Sequence, residues 1–209
     1  AGTTLGGGEL GVLAVLGISQ VQVSKRPRVA LVATGSELVP LGAELASGQK
    51  YNSNSVALGA EIEAAGGLVS SDTIAGDDKD TLRQAMESAL ADCDVLVTMG
   101  GVSAGDFDFV RDVCPTVGIE IDFWKVAIKP GKPLVFGTTS KGQLFFGLPG
   151  NPVSSMVIFE VFVRPTLLGM MAAAEKQRPR VPVHLAAPYS KQAGRAHFLR
   201  ACLSREGDR

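Results

Sequence analysis

From Arg28 onward, short uninterrupted apolar runs alternate with segments whose apolar residues recur every three or four positions. Val29-Ala30-Leu31-Val32-Ala33 is continuous, as expected of a strand covered on both faces. Asn54 to Ala65 has helical spacing through Val56, Leu58 and Ile62, and stops at Gly66-Gly67. Leu68 to Ile74 predicts a second strand, and Asp80 to Ala91 a second helix with Leu82, Met86 and Leu90 on one face. Val95-Leu96-Val97-Thr98 predicts a third strand, followed by a glycine-rich break and a helical pattern from Phe109 to Val113. This alternation predicts βαβ units and a mostly parallel sheet.

The later segments are read the same way. Ile119 to Phe123 and Lys125-Val126-Ala127-Ile128 predict strands near the sheet edge. Leu134 to Gly137 and Gln143 to Gly147 predict strands flanking a turn at Thr139-Ser140-Lys141-Gly142. Asn151-Pro152 opens a long apolar helix running to about Leu168. Met170 to Arg180 is polar and alanine-rich and reads as a linker, and Val181 to Leu203 as the start of a small β domain. Before Arg28, Glu9 to Gly17 predicts a short helix closed by glycine, Val21-Gln22-Val23 a small strand, and Lys25-Arg26-Pro27 a hinge. The chain opens without Met and closes just after an expected strand, so a fragment of a longer protein is expected.

Composition narrows the class. With 209 residues, 45% hydrophobic and 25 glycines, the chain can bury one good core with many tight turns. A net charge of −1 argues against bulk nucleic-acid binding, which needs a basic surface. Cys93, Cys114 and Cys202 are far apart and lack metal spacing, which fits packing roles in a reducing cytoplasm. No uninterrupted apolar run reaches the roughly 18–20 residues of a membrane span. The start also lacks the pattern of a signal peptide. A cytoplasmic protein is expected.

In an open parallel sheet, ligands collect outside the carboxyl ends of the strands. Four unusual loops are expected there: Thr34 to Leu38, Gly100 to Asp108, Lys129 to Pro133, and Leu148 to Ser155. Each alone reads as a turn; together they read as a pocket. Strand, glycine turn and helix in the second loop are suited to an anion at backbone N–H groups. Asp106 and Asp108 lie beside it. Lys125, Lys129 and Lys132 could hold an oxyanion as point charges, or form a solvated basic edge. Asp77-Asp78 could bind Mg²⁺ together with phosphate, or cap the helix starting near Asp80. His184 and His197 share no ligand spacing, and Ser103 has no obvious base.

In combination and order, four motifs resemble the MoeA family, molybdenum insertases that include the E domain of gephyrin. They are Thr34-Gly35-Ser36-Glu37-Leu38, Gly100-Gly101-Val102-Ser103-Ala104-Gly105, the run Lys125 to Pro133, and Gly147-Leu148-Pro149-Gly150-Asn151-Pro152-Val153-Ser154. The resemblance extends from Leu5 to about Leu203. It implies an α/β fold: a three-layer α/β/α, MogA-like molybdopterin-binding domain at residues 26–174. Residues 1–25 would end an N-terminal region, and 175–209 would begin a truncated C-terminal β-barrel-like domain.

The implied activity is insertion of molybdenum from molybdate into adenylylated molybdopterin, with release of AMP. The resemblance ties Asp77, Asp108, Lys125, Lys129 and Glu9 to catalysis. It ties Thr34, Gly35, Ser36, Gly100, Gly101, Ser103, Gly105, Pro130, Gly131, Lys132 and Asn151 to the pterin substrate. Mg²⁺ would be held by Asp77 and Asp108, and molybdate would sit near Pro149, Pro152 and Arg200. One departure is Ser36, where many members carry Asp. Implied partners are a second copy of the chain, the adenylyltransferase and molybdoenzyme acceptors, with neither nucleic acid nor membrane. Two other readings fit the same fold: a molybdopterin adenylyltransferase, and a non-catalytic scaffold of the gephyrin type that anchors receptors.

Overall fold

The computed structural model describes residues 2–102, 109–191 and 193–204. Helix α1 (Gly7–Val15) precedes strand β1 (Arg28–Thr34), two short strands, β2 (Leu38–Val39) and β3 (Lys50–Tyr51), and helix α2 (Ser53–Ala64). Then come β4 (Leu68–Ala75), α3 (Lys79–Leu90), β5 (Val95–Met99) and α4 (Val110–Val113), which runs into a 3-10 turn at Cys114–Val117. The second half holds β6 (Ile119–Trp124), β7 (Ile128–Lys129), β8 (Val135–Thr139), β9 (Leu144–Leu148), α5 (Pro152–Ile158), α6 (Arg164–Met170) and β10 (Ala196–His197). A π-helical stretch at Phe159–Val163 joins α5 and α6 into one helix, Pro152–Met170.

Six strands form the main sheet in the order β4-β1-β5-β9-β8-β6. β4, β1, β5 and β9 run parallel, whereas β8 is antiparallel to both of its neighbours. Alternate residues of each strand serve opposite faces. Val29, Leu31 and Ala33 of β1 pack with Leu58 and Ile62 of α2 and with Ile158, Phe159, Val163 and Leu167 of the long helix. Ala30 and Val32 pack on the other face with Leu82 and Met86 of α3 and with Val110 and Val113 of α4. The result is the expected three-layer α/β/α arrangement with a mostly parallel sheet. Each fully buried Leu, Val or Phe in these layers contributes roughly 1.5–3 kcal/mol.

The helix Pro152–Met170 is 19 residues long and apolar enough to cross a membrane by length and composition alone. Four of its apolar residues are buried in the core, and Glu160 pairs with Arg164 at 3.5 Å. It packs with α2 in one layer of the fold.

Several expected elements differ. Val21-Gln22-Val23 forms no strand, because its exposed residues meet no partner among the described residues. The strand expected at Lys125 to Ile128 is broken at once by Lys125, whose φ is 73°, and only Ile128–Lys129 pairs. The pairing is with Ala196–His197, the whole of the regular structure described between 181 and 204. Helix α1 forms as expected and is closed at Gly17, whose N–H donates to the Ala14 carbonyl at 3.0 Å. None of its residues is buried.

Candidate functional site

The chain leaves β1 towards β4 on one side of the sheet and leaves β5 towards β9 on the other, so the strand order reverses between β1 and β5. α2, which follows β1, lies on one face, and α4, which follows β5, lies on the opposite face. Such a switch point opens a crevice at the carboxyl edge. A cleft of about 400 Å³ is found there, lined by Thr34, Glu37, Leu38, Lys50, Tyr51, Asn52, Ser53, Asn54, Met99, Gly150, Asn151 and Pro152. Thr34 and Met99 are the last residues of β1 and β5.

Two helix N-termini converge on this cleft. Asn52 caps α2, its side chain accepting from the Ser55 N–H at 3.2 Å, and Asn151 caps α5 by accepting from the Ser154 N–H at 3.2 Å. Both ends are tied together, because Asn54 Nδ2 donates to the Gly150 carbonyl at 2.9 Å. Each N-terminus carries a partial positive charge of about half a unit and unpaired N–H groups. These two N-termini are features suited to an anion, in a cleft whose wall also carries the Glu37 carboxylate. The sequence placed this property on the short helix after Gly100–Asp108. That helix has only four residues, so the stronger dipoles belong to α2 and α5.

Gly100 sits hard against Thr34, which lines the cleft. Its φ is 102°, and a Cβ there would lie 2.5 Å from Thr34 Oγ1 and 2.9 Å from the Thr34 carbonyl oxygen. The Gly100 N–H donates to the Leu148 carbonyl at 2.9 Å, joining the second loop to the fourth. Ser103, Gly105, Asp106 and Asp108 lie outside the described residues.

The two readings of Asp77-Asp78 divide between the two carboxylates. Asp78 is the α3 cap, accepting from the N–H groups of Thr81 at 2.9 Å and Asp80 at 3.1 Å. The Thr81 N–H, then the Thr81 hydroxyl, hold its carboxyl below the ordinary range. Asp77 turns to the first loop: its Oδ2 accepts from the Ser36 N–H at 2.7 Å, and its own N–H donates to Ser36 Oγ at 3.1 Å. Serine thus works here as a small acceptor that locks the β1 and β4 loops together.

The lysine loop leaves the carboxyl end of β6 and returns at β8, so it lies on the same edge as the other loops. Lys125, Lys129 and Lys132 are exposed. Gly131, with φ 101°, is buried where a Cβ would sit 2.8 Å from Ile158 Cγ1, which seats the loop on the long helix. Pro130 is half-buried beside it. Lys125 Nζ lies 3.4 Å from the centroid of the Trp124 ring.

Thr34, Asn151 and Pro152 line the cleft, whereas Gly35, Gly101 and Pro149 belong to the same loops without lining it. Pro149 is buried, and its carbonyl accepts from the Ser155 hydroxyl. Glu9 stands apart: its carboxylate accepts from the Gly6 N–H at 2.8 Å and caps its own helix, and its own backbone N–H, then that of Gly6, lowers its pKa. Arg200 is exposed in the segment after β10 and does not line the cleft. Among the described residues no group of three His, Cys, Asp or Glu side chains could hold a metal. Lys50, Asn52, Ser53 and Asn54 line the cleft without having been expected there. The signal was present in the capping run Asn52-Ser53-Asn54-Ser55 before an amphipathic helix. Glu37 and Lys50 face one another across the cleft wall at 3.7 Å.

Comparison with known proteins follows this geometry. The chain is 38% identical over 202 residues to molybdopterin molybdenumtransferase 2 of Mycobacterium tuberculosis, covering 94% of this chain and 50% of the relative. It is 36% identical to the molybdopterin molybdenumtransferase of a Nostoc species, covering 86% of this chain and 42% of the relative. The chain thus spans about half the length of the curated relatives it matches. Among solved structures, the molybdopterin biosynthesis MoeA protein of Pyrococcus horikoshii superposes with a TM-score of 0.74 at 36% identity, over 84% of this chain and 43% of that one. The tungsten cofactor synthesizing protein MoaB of Pyrococcus furiosus shares the fold alone, with a TM-score of 0.53 at 17% identity over 72% of this chain and 99% of that one. A family model for the "Probable molybdopterin binding domain" matches residues 30–169, from the first sheet strand to the end of the long helix, and the chain belongs to that family.

Proposed function

We propose that this chain is the pterin-binding part of a molybdopterin molybdenumtransferase, which inserts molybdenum from molybdate into adenylylated molybdopterin and releases AMP. The observation that carries the reading is the cleft at the β1/β5 switch point, where two helix N-termini meet. A phosphorylated pterin needs anion-binding N–H groups and a pocket large enough for a bicyclic ring. A cleft of about 400 Å³ lies within the ordinary range for small-ligand sites.

In this reading Thr34, Gly35, Ser36, Gly100, Gly101, Ser103, Gly105 and Asn151 bind the substrate through backbone N–H groups and short polar side chains. Pro130, Gly131 and Lys132 shape the neighbouring loop, and Lys125 and Lys129 neutralise the phosphoanhydride as negative charge develops on its leaving oxygen. Asp77 fits Mg²⁺ as one carboxylate beside substrate oxygens, since only its Oδ2 is engaged by Ser36 among the described residues. Asp108 would be the second carboxylate. When bound, Mg²⁺ supplies charge neutralisation at the phosphates. Pro149, Pro152 and Arg200 would border the molybdate, and Glu9 would act only if α1 meets another copy of the chain in a homodimer. The reading places residues 26–174 as the binding domain, flanked by 1–25 and 175–209, in a cytoplasmic enzyme.

Titration of the chain with molybdopterin and with its adenylylated form tests this. Binding of both, tighter for the adenylylated form, is expected. Incubation with molybdopterin and ATP yielding adenylylated product would instead assign the adenylyltransferase reaction. In the full-length protein, Asp77→Asn and Asp108→Asn are each expected to lower AMP release at least tenfold, and unchanged release would remove the carboxylates from the mechanism.

A further inference from the structure

Trp124 is the single tryptophan of the chain, and it stands where three separate pieces of the carboxyl edge meet. Its Nε1–H donates to the Val102 carbonyl at 3.3 Å, at the end of the glycine turn that follows β5. The guanidinium carbon of Arg111, in the first turn of α4, lies 3.7 Å from the ring centroid. Lys125 Nζ lies 3.4 Å from the same ring. Two cations thus stack on one indole.

The arrangement is more than a packed aromatic. Arg111 Nε is buried and has no hydrogen-bond acceptor among the described residues, and the guanidinium lies on the ring. Indole is the strongest of the aromatic faces for a cation, and partial desolvation raises the attraction. Lys125 carries a positive φ of 73°, an uncommon conformation for a residue with a side chain. Its N–H donates to the Leu134 carbonyl at 2.8 Å, and the Val126 N–H donates to the Lys132 carbonyl at 2.9 Å. The backbone turn lays the lysine back across the ring of its own neighbour, where it remains exposed to solvent and ligand.

We propose that Trp124 is a positioning residue that holds Lys125 over its indole, against the Gly100–Val102 turn, and so presents the ammonium to the oxyanion of a bound ligand. This rests on the anion-binding reading of the carboxyl edge. It deepens that reading by naming the group that sets the lysine, with Arg111 as a second cation stacked on the ring.

The test uses the chain itself with Trp124→Phe, Trp124→Leu, Lys125→Met and the Trp124→Leu/Lys125→Met double variant. Molybdopterin affinity is read by calorimetry, and the Lys125 side-chain methylene resonances by NMR in the ligand-free protein. Ring-current shielding is expected to move those resonances upfield in the wild type and in Trp124→Phe, and to vanish in Trp124→Leu. Affinity is expected to fall about tenfold in Trp124→Leu and in Lys125→Met, by less than threefold in Trp124→Phe, and no further in the double variant than in Lys125→Met. Full additivity of the two losses, or wild-type affinity in Trp124→Leu, would overturn the proposal while leaving the binding reading intact. If the wild type binds no molybdopterin, that reading falls by itself. The resonances then decide: shielding lost in Trp124→Leu supports the holding role of Trp124, and unshifted resonances in the wild type overturn it.

Discussion

Gly100 shows how much of the site depends on single positions. Its positive φ and its approach to Thr34 leave no room for a Cβ. Gly100→Ala is expected to destabilise the chain by about 1–3 kcal/mol, because the clash involves backbone as well as side chain. Thermal denaturation checks this, and an unchanged midpoint would contradict the close approach to Thr34. The cysteines give a second test. Burial pushes the Cys93 thiol up to about 11 and Cys114 to about 12, whereas Cys202 is exposed. One thiol per chain is expected to react with a disulfide reagent at pH 8 under native conditions, and three after unfolding. Because the folded thiols ionise later than the unfolded ones, their contribution to stability is complete below about pH 9 and lost as pH rises towards 11–12. At this scale the sequence was a partial guide. It marked Asp77 and Asp78 as a pair, but their division of labour depends on Ser36 and Thr81, which reach them through tertiary and capping contacts. Trp124 carried no motif of its own and became visible only through what stacks on it.

The helices and strands of the sheet were the most legible elements, since two buried faces leave an unbroken apolar run. α2, α3 and the long helix start within two residues of their expected positions, each at a residue that caps it. The breaks came where local pattern is outweighed by other forces. Val126 and Ile128 look like strand residues, yet Lys125 turns the chain and Gly131 anchors the loop on the long helix instead. Asn52 is the element-scale position that couples stability to the cleft. It is buried, caps α2, and donates from Nδ2 to Ser55 Oγ at 2.7 Å, while Ser55 Oγ donates to Asp72 at 2.6 Å. Asn52→Ala is expected to cost about 1–2 kcal/mol in denaturant unfolding and to weaken molybdopterin binding, because the α2 N-terminus loses its anchor. Loss of stability with full affinity would separate α2 from the site.

Seen whole, the molecule is a tightly layered sheet domain with lightly attached ends. The segments before Arg26 and after Ala172 are largely exposed, including all of α1 and nearly every described residue from Glu175 to Ser204. Limited trypsin digestion is expected to cut first at Lys176 or Arg180 and to leave a core that still binds molybdopterin. Early cuts inside the sheet layers would contradict the proposed boundaries. The overall layering was readable because alternation of runs and helical spacing sets it directly. The flanking segments were not, because their exposed apolar residues have nothing to pack on among the described residues. The central claim is that the cleft at the β1/β5 switch point holds the pterin. Amide chemical-shift mapping during a molybdopterin titration tests it most directly. The largest changes are expected at Thr34, Ser53, Asn54, Gly150 and Asn151; saturable binding with its shifts confined to other surfaces, or no binding, would contradict that placement.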